Sequence, residues 1–388
     1  MSSHAPSLPP RERLCRLALA RSRGIGPRLW ARLLDRFGSG ERALAELPRL
    51  VASGRLPRVV PADPETVARE WARAEALGIR LVLRGEGDYP ARLHHLEDPP
   101  PVVALAGDPA TLRGPAVAVV GARHAGAAGM ALARELAAGL AAAGVTVVSG
   151  LARGIDAAAH EGSLTVDGRA VAVLASGLDR VYPPEHGPLQ ARIRRHGLLL
   201  SERALGAAPK ARHFPRRNRL IAALVDCVVV VEAAERSGSL MTARLAAELG
   251  REVAAVPGGP GDPRHRGTNR LLREGAHLVE GAEDVLALLA MSPRSTPPAP
   301  PAGPRASASG DGAGAPVPAS AATPAGPPAP GSLCARLREL LGPEPLALDE
   351  LARAVGRTAG EVREALAELE LSEPLEWHAG DRVARLSG

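Results

Sequence analysis

From Gly78 onward the chain alternates short, nearly continuous apolar runs with longer segments of helical period. The runs are IRLVL, PVVAL, AVAVVG, VTVVSG, AVAVLASG, LLLSE, CVVVVEA, EVAAVPG and HLVEG. Between most of them lie stretches such as GMALARELAAGLAAAG and SLMTARLAAELG, apolar on one helical face. Strands without polar alternation are covered on both sides, and Val/Ala/Leu strands joined by helices form a parallel sheet between two helical layers. The pattern predicts an α/β fold, an extended Rossmann-like doubly wound sheet over residues 76–291. Ligands of such a sheet gather at the carboxyl ends of its strands.

The flanks have other patterns. Residues 1–75 read as short helices: RERLCRLALARS is periodic, and RGIGPRLWARLLDRFGSGERALAEL gives a helix, a Gly-bounded turn and another helix start. Gly24-Ile25-Gly26-Pro27 opening a helix resembles the turn of a SAM-like or helix-hairpin-helix domain, whose free amides can hold a phosphate; the same glycines also serve an ordinary helical turn. Residues 292–331 are almost entirely Pro, Ala, Gly and Ser, a linker expected to be disordered. Over 332–388, SLCARLRELL, LALDELARAVG and TAGEVREALAELEL predict three helices, and EPLEWHAGDRVARL two strands around a Gly-Asp turn: a winged helix. Its second-motif helix, Thr358 to Leu371, carries Glu361, Glu364, Glu368 and Glu370 against Arg363 alone. A helix of that charge repels phosphate, so a protein-contact or structural role suits it better than reading a major groove.

Charge then directs attention to a partner. The net charge is +6 and the pI near 10.1, which favours a polyanion. Nearly all positive charge is arginine, Lys210 being the sole lysine. Cys15, Cys227 and Cys334 are far apart, without metal-type spacing, so neither a zinc site nor a disulfide framework is expected and a reducing cytoplasm is. No secretory leader or membrane-spanning run is visible, and the expectation is a cytoplasmic protein without membrane contact.

Four stretches near strand ends carry candidate chemistry. In KARHFPRRNR, Lys210, Arg212, Arg216, Arg217 and Arg219 stand without an acid around Phe214, in a chain only 2% aromatic. Cations that hold phosphates beside a ring that accepts any base are what single-stranded nucleic acid requires; a solvated turn plugged by its Phe is the plainer alternative. Pro215 is expected near the start of a helix, placing Arg216, Arg217 and Asn218 in its first turn. Gly121 and Gly129 suit a phosphate loop into which Arg123 points, although it is neither G-x-G-x-x-G nor a Walker loop, which disfavours ordinary nucleotide use. Ser149 and Gly150 end the next strand before a helix capped near Asp156, with His160 one turn on. Ser237, Gly238 and Ser239 form a third strand-to-helix cradle. Three such loops beside a basic segment suit a polymer better than one small ligand. No nucleophile elbow, activated cysteine or metal cluster emerges, and neither catalytic residues nor a cofactor are expected.

These residues resemble the DNA-processing protein A (DprA, also called Smf) proteins of bacteria. The resemblance rests on G-A-R-H-x-x-x-x-G at Gly121, S-G-L-A-R-G-I-D-x-x-A-H at Ser149 and G-L-D-x-x-Y-P-P-E at Gly177. It continues through F-P-R-R-N-R-L-I-A-A-L at Phe214, SGSLMTA, A-V-P-G-G at Ala255 and G-T-N-R-L-L at Gly267. It implies a non-enzymatic recombination mediator that binds incoming single-stranded DNA in natural transformation, works with single-strand-binding protein present and loads the RecA recombinase. It also implies a homodimer joined near Leu271 to Leu286. By the same resemblance Arg123, Arg217 and Asn218 hold phosphate and Phe214 stacks on a base. Lys210 or Arg212 supplies a further cation upstream of the ring. Ala122 stands where the family usually has a small hydroxyl residue, which removes one phosphate hydrogen bond.

A different class remains as the alternative. Pro257-Gly258-Gly259-Pro260-Gly261 begins the P-G-G-x-G-T-x-x-E pattern of nucleotide-processing hydrolases of the lysine-decarboxylase-like group. Asp262 replaces its Thr and His265 its catalytic Glu, so the glycines are kept without the chemistry.

Overall fold

In the computed structural model the chain divides into two compact units, Met1–Leu17 with Pro64–Pro301 and Ala18–Asp63 with Ala302–Gly388. The structure describes residues 8–56, 58–291, 333–342, 344–369, 375–378 and 382–385.

The N-terminal helices are α1 (Pro10–Arg21), α2 (Pro27–Phe37), α3 (Gly40–Ala52) and α4 (Pro64–Ala76). Pro27 takes the first helical position of α2, where no N–H is needed, and Gly38 at φ 75° ends that helix by donating its amide to Leu34 O. Ser39 caps α3 by accepting the Arg42 amide. Leu19, Trp30, Leu33 and Leu47 close a small core between these turns.

The larger unit follows the alternating pattern strand for strand: β1 (Arg80–Leu83), β2 (Val102–Gly107), β3 (Ala116–Val120), α5 (Ala127–Ala142), β4 (Thr146–Ser149), α6 (Ile155–Thr165), β5 (Ala170–Val173), α7 (Gly187–His196), β6 (Leu198–Ser201), α8 (His213–Leu224), β7 (Cys227–Val230), α9 (Ser239–Glu248), β8 (Glu252–Ala255), α10 (Arg266–Arg273), β9 (His277–Leu278) and α11 (Ala282–Met291). The order in the sheet is β1-β2-β6-β5-β4-β3-β7-β8-β9. From β6 to β9 the neighbours are parallel, as expected. The expectation of a wholly parallel sheet fails at one edge, where β2 runs antiparallel to β6 and β1 to β2. Only a 3-10 turn, Ala91–His95, lies between β1 and β2, and without a crossover helix consecutive strands pair antiparallel.

Period-two sorting builds both cores. On β3, Ala116, Ala118 and Val120 face the layer that holds α8 and α9, while Val117 and Val119 face α5 and α6. The chain steps outward from β3 through β4 and β5 to β6, then returns to place β7 on the other side of β3. That reversal leaves a crevice at the carboxyl ends of β3 and β7, the place where this fold binds ligands.

Past the linker lie α12 (Leu333–Leu340), β10 (Leu346–Ala347), α13 (Leu348–Val355), α14 (Ala359–Leu369), β11 (Leu375–His378) and β12 (Arg382–Arg385). The three helices and the β11–β12 pair match the winged-helix expectation, and β10 adds a third strand beside β12. Leu337, Leu351, Leu366 and Val383 are its buried centre. The 292–331 linker and the Gly-Asp turn of the wing lie outside the described residues. Among the described residues no helix is long and apolar enough to cross a membrane.

Candidate nucleic-acid interface

The loops after β3, β4 and β5 meet the N-terminus of α8 in an open cleft, lined by Arg123, Gly150, Arg153, Tyr182 and Phe214 among others. Its centre is a stack: the Arg123 guanidinium carbon lies 4.6 Å from the centroid of the Phe214 ring. A cation held over an aromatic face at that range is attracted by the ring quadrupole. Arg123 is exposed and Phe214 half-buried, so charge and ring both face solvent. Tyr182 stands beside them, its ring 6.0 Å from that of Phe214 and tilted by 57°.

Beneath this surface the positively charged segment is not uniform. Helix α8 begins at His213, two residues before Pro215, so the expected first turn is shifted and Arg217 enters the second turn. Arg217 lies on the inner face of the helix: the residue is only 5% exposed, and its Nη1 donates to Val173 O at 3.0 Å and its Nε to Asn218 Oδ1 at 3.1 Å. Asn218 in turn donates from Nδ2 to Gly238 O at 3.3 Å, tying α8 to the 237–239 turn. Arg219 is committed to ion pairs with Asp98 and Glu202. Lys210, Arg212 and Arg216 are exposed. Solvent-facing charge of the segment therefore lies with these three cations, while Arg217 lies beneath the surface.

Gly150 exists to admit that buried guanidinium, because a Cβ there would overlap Arg217 Nη1. The Gly150 amide donates to Asp156 Oδ2 at 3.1 Å, and the Ala152 amide donates to the same oxygen. Asp156 was expected to cap α6; instead Gly154 is the N-cap and Asp156, in the first turn, fastens the loop before it. Burial pushes the Asp156 carboxyl up from its ordinary range, opposed by the Arg217 charge and the two amides. Burial likewise lowers Arg217, with Asp156 pulling it back up. Ser149 is fully buried and donates its hydroxyl to Val119 O at 2.7 Å, a sheet contact rather than an open donor.

The β3 loop is also not the vacant cradle its glycines imply. Glu232, at the end of β7 and 1% exposed, accepts the Gly126 amide with both oxygens, at 3.2 and 3.1 Å. Its carboxylate sits at the N-terminus of α5, where a nucleotide fold of this type places phosphate. The chain supplies its own anion there, and Gly129 leaves room for it, since a Cβ would meet Glu232 at Oε2. Gly121 is a packing glycine pressed between Ile155 and the Glu232 carbonyl. Replacing Glu232 with Ala should cost about 1–3 kcal/mol by orphaning the Gly126 donor, read as a lowered urea midpoint. Glu232→Gln, which keeps an acceptor oxygen, should lose less; equal losses would contradict this account.

The third cradle is partly closed too. The Ser237 and Ser239 hydroxyls bond each other at 2.8 Å, Ser239 is buried as the first residue of α9, and Gly238 is exposed at the cap. Around Pro257–Gly261, Gly258 donates its amide to Asn269 Oδ1 and accepts from Asn269 Nδ2, and the His265 ring occupies the space a Gly258 side chain would need. That glycine loop is shut on its own chain. Among the described residues no group of His, Cys, Asp or Glu is placed to hold a metal ion.

Arg123, Gly150 and Phe214, expected at one strand-end edge, line one cleft, and Tyr182, which the sequence analysis does not single out, lines it with them. Tyr182 carried a usable signal as one of two tyrosines in the chain. The role of Glu232 carried none, because its partner is a backbone amide on another loop, Gly126.

Comparison with known proteins agrees with the fold. The family described as DNA recombination-mediator protein A matches residues 80–290, a DprA-like N-terminal HHH domain matches 10–73, and a DprA winged helix domain matches 320–381. The DNA processing protein DprA of Bacillus subtilis is 38% identical over 232 residues, spanning 60% of this chain and 74% of the relative. Protein Smf of Synechocystis is 32% identical over 290 residues, 71% of this chain and 72% of the relative. Among solved structures, DNA processing protein A of Streptococcus pneumoniae superposes with a TM-score of 0.55 at 39% identity, covering 58% of this chain and 77% of that one. The Helicobacter pylori protein, described with a unique single-stranded DNA binding mode, gives 0.50 at 30% identity, over 55% and 95%. With its central residues matched in one piece and both flanking domains in the same order, the chain belongs to the DNA recombination-mediator protein A family.

Proposed function

We propose that the cleft at the carboxyl ends of β3, β4 and β5 binds single-stranded DNA. The observation that carries this reading is the Arg123 guanidinium 4.6 Å from the Phe214 ring in an open cleft. Arg123, with the exposed Lys210, Arg212 and Arg216, tracks phosphates, and Phe214 takes an unpaired base. Buried Arg217 and Asn218 set the pitch of α8 beneath the ring; Gly121, Ser149, Gly150 and Ser237–Ser239 shape the surrounding loops. The single-stranded DNA binding described for the Helicobacter pylori relative supports the same choice of ligand.

Family membership supports the wider role: a recombination mediator of the cytoplasm that protects incoming strands in natural transformation, meets single-strand-binding protein and loads RecA. We read it as a binding protein rather than an enzyme; the shut Pro257–Gly261 loop gives the hydrolase alternative no support. A homodimer near Leu271 to Leu286 agrees with the exposed edge strand β9, where Leu278 is 56% exposed. The division at 1–75, 76–291, 292–331 and 332–388 is part of the same proposal; the matches at 10–73 and 80–290 support its first two parts, while the winged-helix match begins at residue 320, inside the 292–331 stretch.

The test is fluorescence anisotropy with oligo-dT at two salt concentrations, with a duplex of equal length as comparator. The single strand should bind more tightly than the duplex. Phe214→Ala should cost about 1–3 kcal/mol of binding, and Arg123→Ala should weaken all sequences alike and reduce the salt slope by about 1. Equal affinity for wild type and both variants would remove the site.

A further inference from the structure

We propose that Tyr182 is a second base platform, so that the cleft grips two successive unpaired bases of one strand. The inference rests on the reading of the cleft as a single-strand site and specifies what that site holds. Tyr182 and Phe214 belong to a chain with two tyrosines and two phenylalanines. They come from distant segments, yet their centroids are 6.0 Å apart in the same cleft. Neighbouring nucleotides stand ~3.4 Å apart along a stacked strand, and farther when it is extended. Two rings at this separation therefore meet adjacent bases rather than remote ones.

The Phe214 ring is not wholly available, because Arg123 already lies over it. A strand that stacks on Phe214 alone must share the ring with that guanidinium, whereas Tyr182 offers fresh aromatic surface at 39% exposure. The loop that carries it is held on both sides of it. Gly177 donates to Ala207 O, and Asp179 accepts the Gly206 amide and pairs with Arg73. On the far side His186 donates its amide to Pro183 O, and Pro183 is buried. An exposed aromatic on a loop fastened at both ends is presented in advance, so little ordering entropy is lost when a base lands on it. Arg153, paired with Glu185, lines the same cleft as Tyr182 and adds charge to it.

Oligo-dT is titrated against wild type, Tyr182→Leu, Tyr182→Phe and Phe214→Ala, and each protein is titrated again with an abasic strand carrying the same number of phosphates. Tyr182→Leu should weaken oligo-dT binding by about 5- to 150-fold while Tyr182→Phe stays near wild type. On the abasic strand the Tyr182→Leu deficit should vanish, because no base remains to stack. A deficit of equal size on both strands would assign Tyr182 a structural or phosphate role and overturn the proposal. Normal oligo-dT binding by Tyr182→Leu with a weakened Phe214→Ala would overturn it while leaving the single-strand site standing. If Phe214→Ala and Arg123→Ala also bind normally, the site itself is wrong and Tyr182 falls with it. As a readout independent of variants, wild type is irradiated with an oligonucleotide containing 5-iododeoxyuridine. Adducts on both the Tyr182 and Phe214 peptides support the pair, and adducts on Phe214 alone refute it.

Discussion

A Gly154→Ala protein is expected to lose about 2–6 kcal/mol of stability and to bind oligo-dT weakly even where it remains folded. Gly154 holds φ 72° and ψ −124° at the N-cap of α6, a conformation open to glycine and strained for any other residue. A Cβ there would overlap the carbonyl oxygen of Ala122 and stand 2.8 Å from that of Arg123. Both obstacles are backbone, so no side chain can swing aside. Relief requires moving the 121–123 loop, which breaks the Ile155 amide to Ala122 O bond of 3.2 Å and shifts Arg123 away from Phe214. Urea denaturation measures the first effect and anisotropy the second. An unfolding free energy within about 0.5 kcal/mol of wild type would show that the loop is softer than its contacts imply.

Stability is also expected to fall as the pH drops below about 6.5, by as much as ~4 kcal/mol. His160 on α6 is fully buried, and among the described residues neither ring nitrogen has a partner. Burial first, then the Arg217 and His186 charges, pushes the imidazole down to about 3. In the unfolded chain a histidine takes its proton near 6.5. Between those values the unfolded state binds a proton that the native state refuses, so the stability present above pH 6.5 drains away as the pH falls toward 3. His213, His94 and His95, all lowered by burial, act in the same direction. The raised Asp156 carboxyl acts oppositely: through its range the native state is the better proton binder, which offsets part of the acid loss. Urea midpoints at pH 7.5, 5.5 and 4.5 should spread less for His160→Leu and for His160→Gln than for wild type, the remaining spread coming from the other histidines. Parallel slopes in all three proteins would clear His160 of the effect.

The interface shows where a sequence stops being informative. Phe214 and Arg123 were legible because a ring among cations, and an arginine where a nucleotide fold wants glycine, are local oddities. Their partnership was not, since 91 residues separate Arg123 from Phe214 and only the β3–β7 return brings them within 4.6 Å. Arg217 shows a different limit. Its first-turn position and the family resemblance point it at phosphate, whereas the fold packs it beneath Gly150, where the Val173 carbonyl and Asn218 hold it. Glycine loops at helix starts pointed to anions, and one anion is Glu232 of the chain itself.

The sequence by itself determined the nine strands of the large sheet, the layers of helices, the winged helix and the family, because hydrophobic period and motif spacing are written locally. Only the tertiary structure decided which cations face solvent, which anion fills the α5 terminus, that β1 and β2 run antiparallel, and that Tyr182 stands beside Phe214. Those facts depend on helix rotation and on loops meeting across the sheet. Both are set by packing between residues far apart in the chain, and no local pattern records them.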